Sequence, residues 1–296
     1  MFYFHNIHSK SLIMKFFKKH RKIFNRAEIC AVIVFVAVLL FAGCGNRTAT
    51  EDGIAETGAE TEVETETEAE ISNAASGLVI VIDPGHGFGD VGNQSGYTSY
   101  DEKYYTVIYA QEIKEKLEAY GAVVFLTHDG ETYPDEDELT EKIAEYGIKY
   151  SSADVVATAG DNLFNKYERV MYTSILDHEY GVDLFLSVHF NAYDNDELYG
   201  TAIYYYSGNP YADVCQQFGD EVMSRVGYTV SYSGVHADSY EEAYAVVKYA
   251  DCAAVLIECA FMTNPSDAAN IESETWRDEM TTYIVESILA ALGAED

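Results

Sequence analysis

Continuous apolar runs and helical spacings alternate along residues 77–292. Leu78-Val79-Ile80-Val81-Ile82 is an unbroken apolar run, the mark of a strand covered on both faces. Residues 101–120 place Tyr105, Ile108, Ile113 and Leu117 on one side of a helix. Ala122 to Leu126 predicts a second buried strand, and Leu163 to Tyr180 a helix. Leu184 to Val188 reads as a third strand, Thr201 to Tyr206 as a fourth, and residues 210–226 as a helix. Ala253 to Ile257 is a further short buried strand. Trp276, Met280, Ile284, Ile288 and Leu292 recur every four residues and mark a closing amphipathic helix. Strands alternating with helices predict a single α/β domain, residues 77–296, with a largely parallel sheet.

Two stretches break this rhythm. Residues 129–162 carry eight acidic side chains between Asp129 and Glu145 alone, and one helical spacing near 139–150. They read as an acidic insertion, more a surface decoration than a cover for a site. Residues 44–76 form a linker: Glu51 to Glu70 alternates Glu with Thr, Ala and Gly. Such a stretch buries too little apolar surface to fold, and its like charges extend it.

Charge sharpens the picture of the first residues. The chain has 18 basic and 50 acidic residues, a formal charge of -32. Seven of the basic residues fall within residues 1–26, where there is no acidic one. The remaining surface repels nucleic acid, which excludes that class of partner. After the basic stretch comes the apolar run Ile29 to Ala42, then Gly43-Cys44. Fourteen apolar residues are short for a membrane span of about 20. The order basic, apolar, small is that of an export signal at 1–43, opened at Met1 or at Met14-Lys15. Phe41-Ala42-Gly43-Cys44 resembles a bacterial lipobox, which would make Cys44 the lipidated N-terminus of a protein held on the outer face of the cytoplasmic membrane. The other reading is a short uncleaved anchor. Cys215, Cys252 and Cys259 show no metal spacing and read as buried small apolar residues, with a Cys252–Cys259 bridge as the alternative.

Four side chains carry candidate chemistry. His86 follows the first strand in Val81-Ile82-Asp83-Pro84-Gly85-His86-Gly87. His189 follows the Leu184–Val188 run, and Glu258 follows Ala253–Ile257. The carboxyl ends of parallel strands share one edge, so these three can converge. Glu102 opens the helix of residues 101–120, where a carboxylate suits the helix dipole. Two imidazoles and a carboxylate leave a fourth zinc position open, and a second carboxylate can move a proton. Taken singly, each has a plainer reading. The histidines can be structural, Glu102 a helix-start acid, and Glu258 a buried carboxylate paired with Arg169.

The motifs around the four tip that balance. Val81-Ile82-Asp83-Pro84-Gly85-His86-Gly87, Glu102-Lys103, Ser187-Val188-His189-Phe190-Asn191-Ala192, Gly200-Thr201-Ala202-Ile203-Tyr204-Tyr205 and Leu256-Ile257-Glu258-Cys259-Ala260-Phe261-Met262-Thr263-Asn264, with Asp267 beyond, together resemble the zinc-dependent N-acetylmuramoyl-L-alanine amidases of the amidase 3 type. The resemblance spans residues 78–292. It implies one Zn2+ on His86, Glu102 and His189, with Glu258 as general base and acid. It implies a twisted, mostly parallel sheet of about six strands with helices on both faces, and peptidoglycan as the partner. Asn191, and Arg169 at the place of the family's arginine before the third strand, are the substrate-contact candidates. Thr127-His128 stands where the family often has Thr-Arg, and the Ala-Asn expected after Arg169 is absent. His128, His178 and His236 lie outside the motifs. Two other functions fit the same residues: an inactive amidase-like module that grips peptidoglycan, and a zinc hydrolase of another amide.

Overall fold

The computed structural model describes residues 73–148, 164–226 and 234–294, all within a unit spanning 71–296. The expected signal at 1–43, Cys44, most of the linker at 44–76 and residues 149–162 of the insertion lie outside the described residues.

Each apolar run becomes a strand: β1 (Val79–Pro84), β2 (Val123–Leu126), β3 (Leu184–Asn191), β4 (Ala202–Tyr206) and β6 (Ala254–Phe261). β5 (Gly234–Asp238) has no such run; its residues are half-buried or exposed, so the pattern gave no signal for it. The sheet order is β2-β1-β3-β6-β4-β5. All neighbours are parallel except β4 against β6. A mostly parallel, six-stranded sheet is therefore found, as expected.

Alternate residues of the strands feed two layers. Ile80, Ile82, Leu186, Val188 and Phe190 pack with α1 (Glu102–Ala119), α4 (Ala212–Val226) and α7 (Glu274–Ala291). Val81, Phe185, Ala254 and Leu256 pack with α3 (Lys166–Tyr180) and α5 (Ala245–Lys248). Burial of each such large side chain contributes about 1.5–3 kcal/mol. Local chemistry fixes the helix ends. Asn165 and Glu168 close a capping box on α3, and Gly181 ends it in the left-handed region. Asn264 caps α6 (Pro265–Ile271), which has Pro at its first position, and Ser273 caps α7.

Several boundaries differ from the sequence reading. β2 is an edge strand with one buried residue, Val124, not a buried strand. The fold begins before Gly77: Ala75 is buried in the main core and its amide bonds Tyr120 O at 2.9 Å. β3 and β6 run past their apolar stretches, so His189 and Glu258 lie inside strands rather than after them. Polar residues are tolerated there because they converge on one another at the sheet's edge. The buried stripe of α1 is Tyr105, Thr106, Tyr109, Ala110, Ile113 and Leu117; Ile108 is only partly buried. In the insertion, α2 (Glu136–Tyr146) packs on α3, with Leu139 in a third small cluster beside Phe164 and Ile175.

Candidate active site

Parallel pairing aligns the ends of β1, β3 and β6. Asp83 pairs with Ser187, Pro84 with Val188, and His189 with Glu258. The Gly85 amide continues the ladder to Val188 O at 2.9 Å. His86 then turns off the sheet edge, and α1 delivers Glu102 from the other layer.

These elements bring His86, Glu102 and His189 together, with one potential ligand atom from each within 4.8 Å of the others. Glu102 Oε2 lies 3.0 Å from His86 Nε2, and Oε1 lies 3.0 Å from His189 Nδ1. The amides of Asn93 and Phe190 donate to Glu102 Oε2 and Oε1 at 2.8 and 2.9 Å, which fixes the carboxylate plane. His86 Nδ1 donates to Asp90 Oδ2 at 2.8 Å, leaving Nε2 turned toward Glu102. A carboxylate behind an imidazole orients it and raises its basicity as a ligand. Burial pushes the Glu102 carboxyl up, but the two imidazoles outweigh it and hold the group well below its usual range. Burial lowers the His86 pKa, yet Glu102 and Asp90 more than offset that and raise it.

The donor set fits a metal ion: two imidazoles and a buried carboxylate, with His86 oriented by Asp90 and Glu102 by two backbone amides. Glycines make the room. A Cβ on Gly85 would overlap the His189 ring, 2.6 Å from Nδ1. At Gly92, with φ +69°, it would stand 2.6 Å from His86 Cδ2 and 2.7 Å from Glu102 Oε2.

Glu258 is buried beside this group, and its Oε2 has no hydrogen-bond partner. Burial first, and then the charge of Glu102, pushes its carboxyl well above the usual range. It is not paired with Arg169. That guanidinium is buried against Asp83, with Nε 2.8 Å from Oδ1 in a close ionic contact whose N–H is not aimed at the oxygen. Arg169 Nη1 also donates to His86 O at 3.1 Å, and Thr127 and Ser187 donate to Asp83 at 2.7 Å each. Arg169 thus supports the His86 loop from behind. Asn191 is half-buried; its Oδ1 accepts from the Ala192 amide. Asp267 accepts from the Gly200 and Phe261 amides, tying the segment after β6 to the start of β4. His128, His178 and His236 are not part of the metal-type group, and the three described cysteines are buried and unpaired.

Sequence reasoning missed Asp90 and Asn93. Asp90, four residues after His86, was within reach as an orienting partner; Asn93 gave no signal, because its amide meets Glu102 only through the loop's course.

The fold and site together have the parts of a metal-dependent hydrolase. Residues 80–290 match the family described as N-acetylmuramoyl-L-alanine amidase, and the chain belongs to that family. A probable cell wall amidase of Staphylococcus aureus, LytH, is 26% identical over 220 residues, covering 73% of this chain and 59% of that protein. The chain thus matches less than two thirds of the length of that relative. Among solved structures, the CwlD amidase of Clostridioides difficile, in complex with the GerS lipoprotein, aligns with TM-score 0.56 at 20% identity. The alignment covers 74% of this chain and all of CwlD. The catalytic domain of CwlV, an amidase of Bacillus (Paenibacillus) polymyxa, gives the same score and identity over 74% and 99%. These two likenesses establish the shared fold.

Proposed function

We propose that this protein is a zinc-dependent amidase that hydrolyses the bond between N-acetylmuramic acid and the first L-alanine of the peptidoglycan stem peptide. Family membership supports the reaction, and one observation carries the mechanism: Glu258, buried with an unbonded carboxylate oxygen, stands in register with His189 beside a His, Glu, His group. In this reading His86, Glu102 and His189 hold one Zn2+. Zinc at such a site supplies Lewis acidity, lowering the pKa of water and drawing charge from a carbonyl oxygen.

The chain's own residues do the rest. The Glu258 carboxylate accepts a proton from the attacking water as its oxygen bonds to the amide carbon. Burial and the charge of Glu102 raise its pKa, so this carboxylate is a stronger base than an ordinary one. The same carboxyl then gives the proton to the alanine nitrogen as the carbon–nitrogen bond breaks, leaving a lactyl carboxylic acid group and a free amine. Asp90 and Arg169 keep His86 in place through its ring and its carbonyl. Asn191, beyond His189, is the proposed contact for substrate. The substrate lies outside the cytoplasmic membrane, which agrees with an export signal at 1–43, a lipid anchor at Cys44 and an acidic spacer before the catalytic domain.

Mass spectrometry of peptidoglycan digested by the full-length protein with zinc tests this reading. New stem peptides with a free N-terminal L-alanine are expected. Release at another bond would make it a different amidase, and absence of cleavage by zinc-loaded protein would make it a binding module.

A further inference from the structure

His86 and Phe88 both hold φ in the left-handed region, at +67° and +48°. Residues other than glycine stay there only when their surroundings hold them. For Phe88 the surroundings are an aromatic cage. Its ring packs edge-on against His128 at 5.1 Å, Tyr133 at 4.5 Å and Phe164 at 6.3 Å between centroids. Tyr133 and Phe164 stack on each other at 5.4 Å. Phe88 also touches the small cluster formed by Leu139 of α2, Phe164 and Ile175 of α3.

The cage bears on the metal-type ligands through the backbone. Gly87 and Asp90 exchange two hydrogen bonds, at 2.8 and 3.0 Å, so residues 87–90 form a closed turn with Phe88 inside it. His86 enters that turn, and Asp90, which bonds the His86 ring, ends it. His128, one of the rings around Phe88, also ties to the end of β1. The Gly130 amide donates to its Nδ1 at 3.2 Å, which leaves Nε2 to donate to Pro84 O at 2.8 Å. Tyr133 and Leu139 come from the 129–162 insertion, His128 precedes it and Phe164 follows it.

We propose that Phe88 is a positioning residue, and that the insertion, through Tyr133 and Leu139, clamps the loop that carries His86. The insertion is then part of the site's support and not a surface decoration, and Thr127-His128 is the adaptation that joins it to the loop. This rests on the zinc reading above. Partners that orient a metal ligand are worth typically 10–100-fold in metal affinity.

The test is zinc affinity of the full-length protein, measured by competition with a chromophoric chelator. Phe88→Gly removes the ring while placing at φ +48° a residue at ease there. Its zinc Kd should rise about 10-fold or more, and Phe88→Tyr should stay near the wild-type value. Tyr133 is 37% exposed, so Tyr133→Ala is the milder change to the core; its zinc Kd should rise as well. The double variant Phe88→Gly/Tyr133→Ala should bind no more weakly than Phe88→Gly alone, because both act through one contact. A wild-type Kd for Phe88→Gly, or losses that multiply in the double variant, overturns the clamp. If Phe88→Gly does not fold, Tyr133→Ala decides alone, and a wild-type Kd there overturns it. Wild-type protein that takes up no zinc would instead refute the zinc reading.

Discussion

Replacing Arg169 by Met should destabilise the protein in a way that exposes the support behind the site. Asp83 is fully buried, and Arg169 is the cation facing it at 2.8 Å. Removing one partner of a buried ion pair costs about 3–5 kcal/mol, because the other charge is left without compensation. Thr127 and Ser187 still donate to Asp83, so the lower end applies, about 3 kcal/mol. For a domain of this size each kcal/mol shifts Tm by about 2–4 °C, which gives a fall of about 6–12 °C. The measurement is the thermal unfolding of zinc-stripped protein by circular dichroism, so that metal binding does not mask the loss. The companion Asp83→Asn/Arg169→Met removes both charges and should recover much of the difference. A Tm within about 2 °C of wild type for Arg169→Met would refute this argument. So would a double variant whose loss equals the sum of the two single ones.

Glu258→Gln should keep zinc and fold while turnover falls about 10²–10⁴-fold; loss of zinc in that variant would make Glu258 a ligand instead. Gly85→Ala pushes a methyl into the His189 ring, so zinc affinity measured by chelator competition should drop about 10–100-fold. Burial pushes Glu112 up, but bonds from Thr281, Arg277 and Lys116 outweigh it and hold its carboxyl below the usual value. Its folded pKa is then below its unfolded one, so its stabilisation is complete above about pH 5 and fades as pH falls. The Tm advantage of wild type over Glu112→Gln should shrink across that acid range; a constant gap would contradict it. Metabolic labelling with palmitate should mark the wild-type protein and spare Cys44→Ser, and an unlabelled wild type would remove the anchor at that position.

Local pattern alone located most of this protein. The runs at Leu78–Ile82, Leu184–Val188 and Ala253–Ile257 marked three central strands, because a strand covered on both faces must be apolar at every position. The four-residue recurrence from Trp276 to Leu292 marked α7 for the same kind of reason. The motifs around His86, Glu102, His189 and Glu258 named the candidate site, since glycines and strand ends leave a local trace. Other features left none. β5 is an edge strand with mixed polarity, and no alternation distinguishes it from a loop. Whether Arg169 faces Glu258 or Asp83 depends on how α3 docks on the sheet, which no spacing within α3 encodes. The aromatic cage joins residues 88, 128, 133 and 164, and although Thr127-His128 stood out as a departure, no spacing pairs these four. Sequence thus determined which segments are buried and which side chains carry chemistry, because burial and turns act over a few residues. Tertiary structure decided which charge meets which and what braces the His86 loop, because those contacts form only once the β1 loop, α3 and the insertion are packed together.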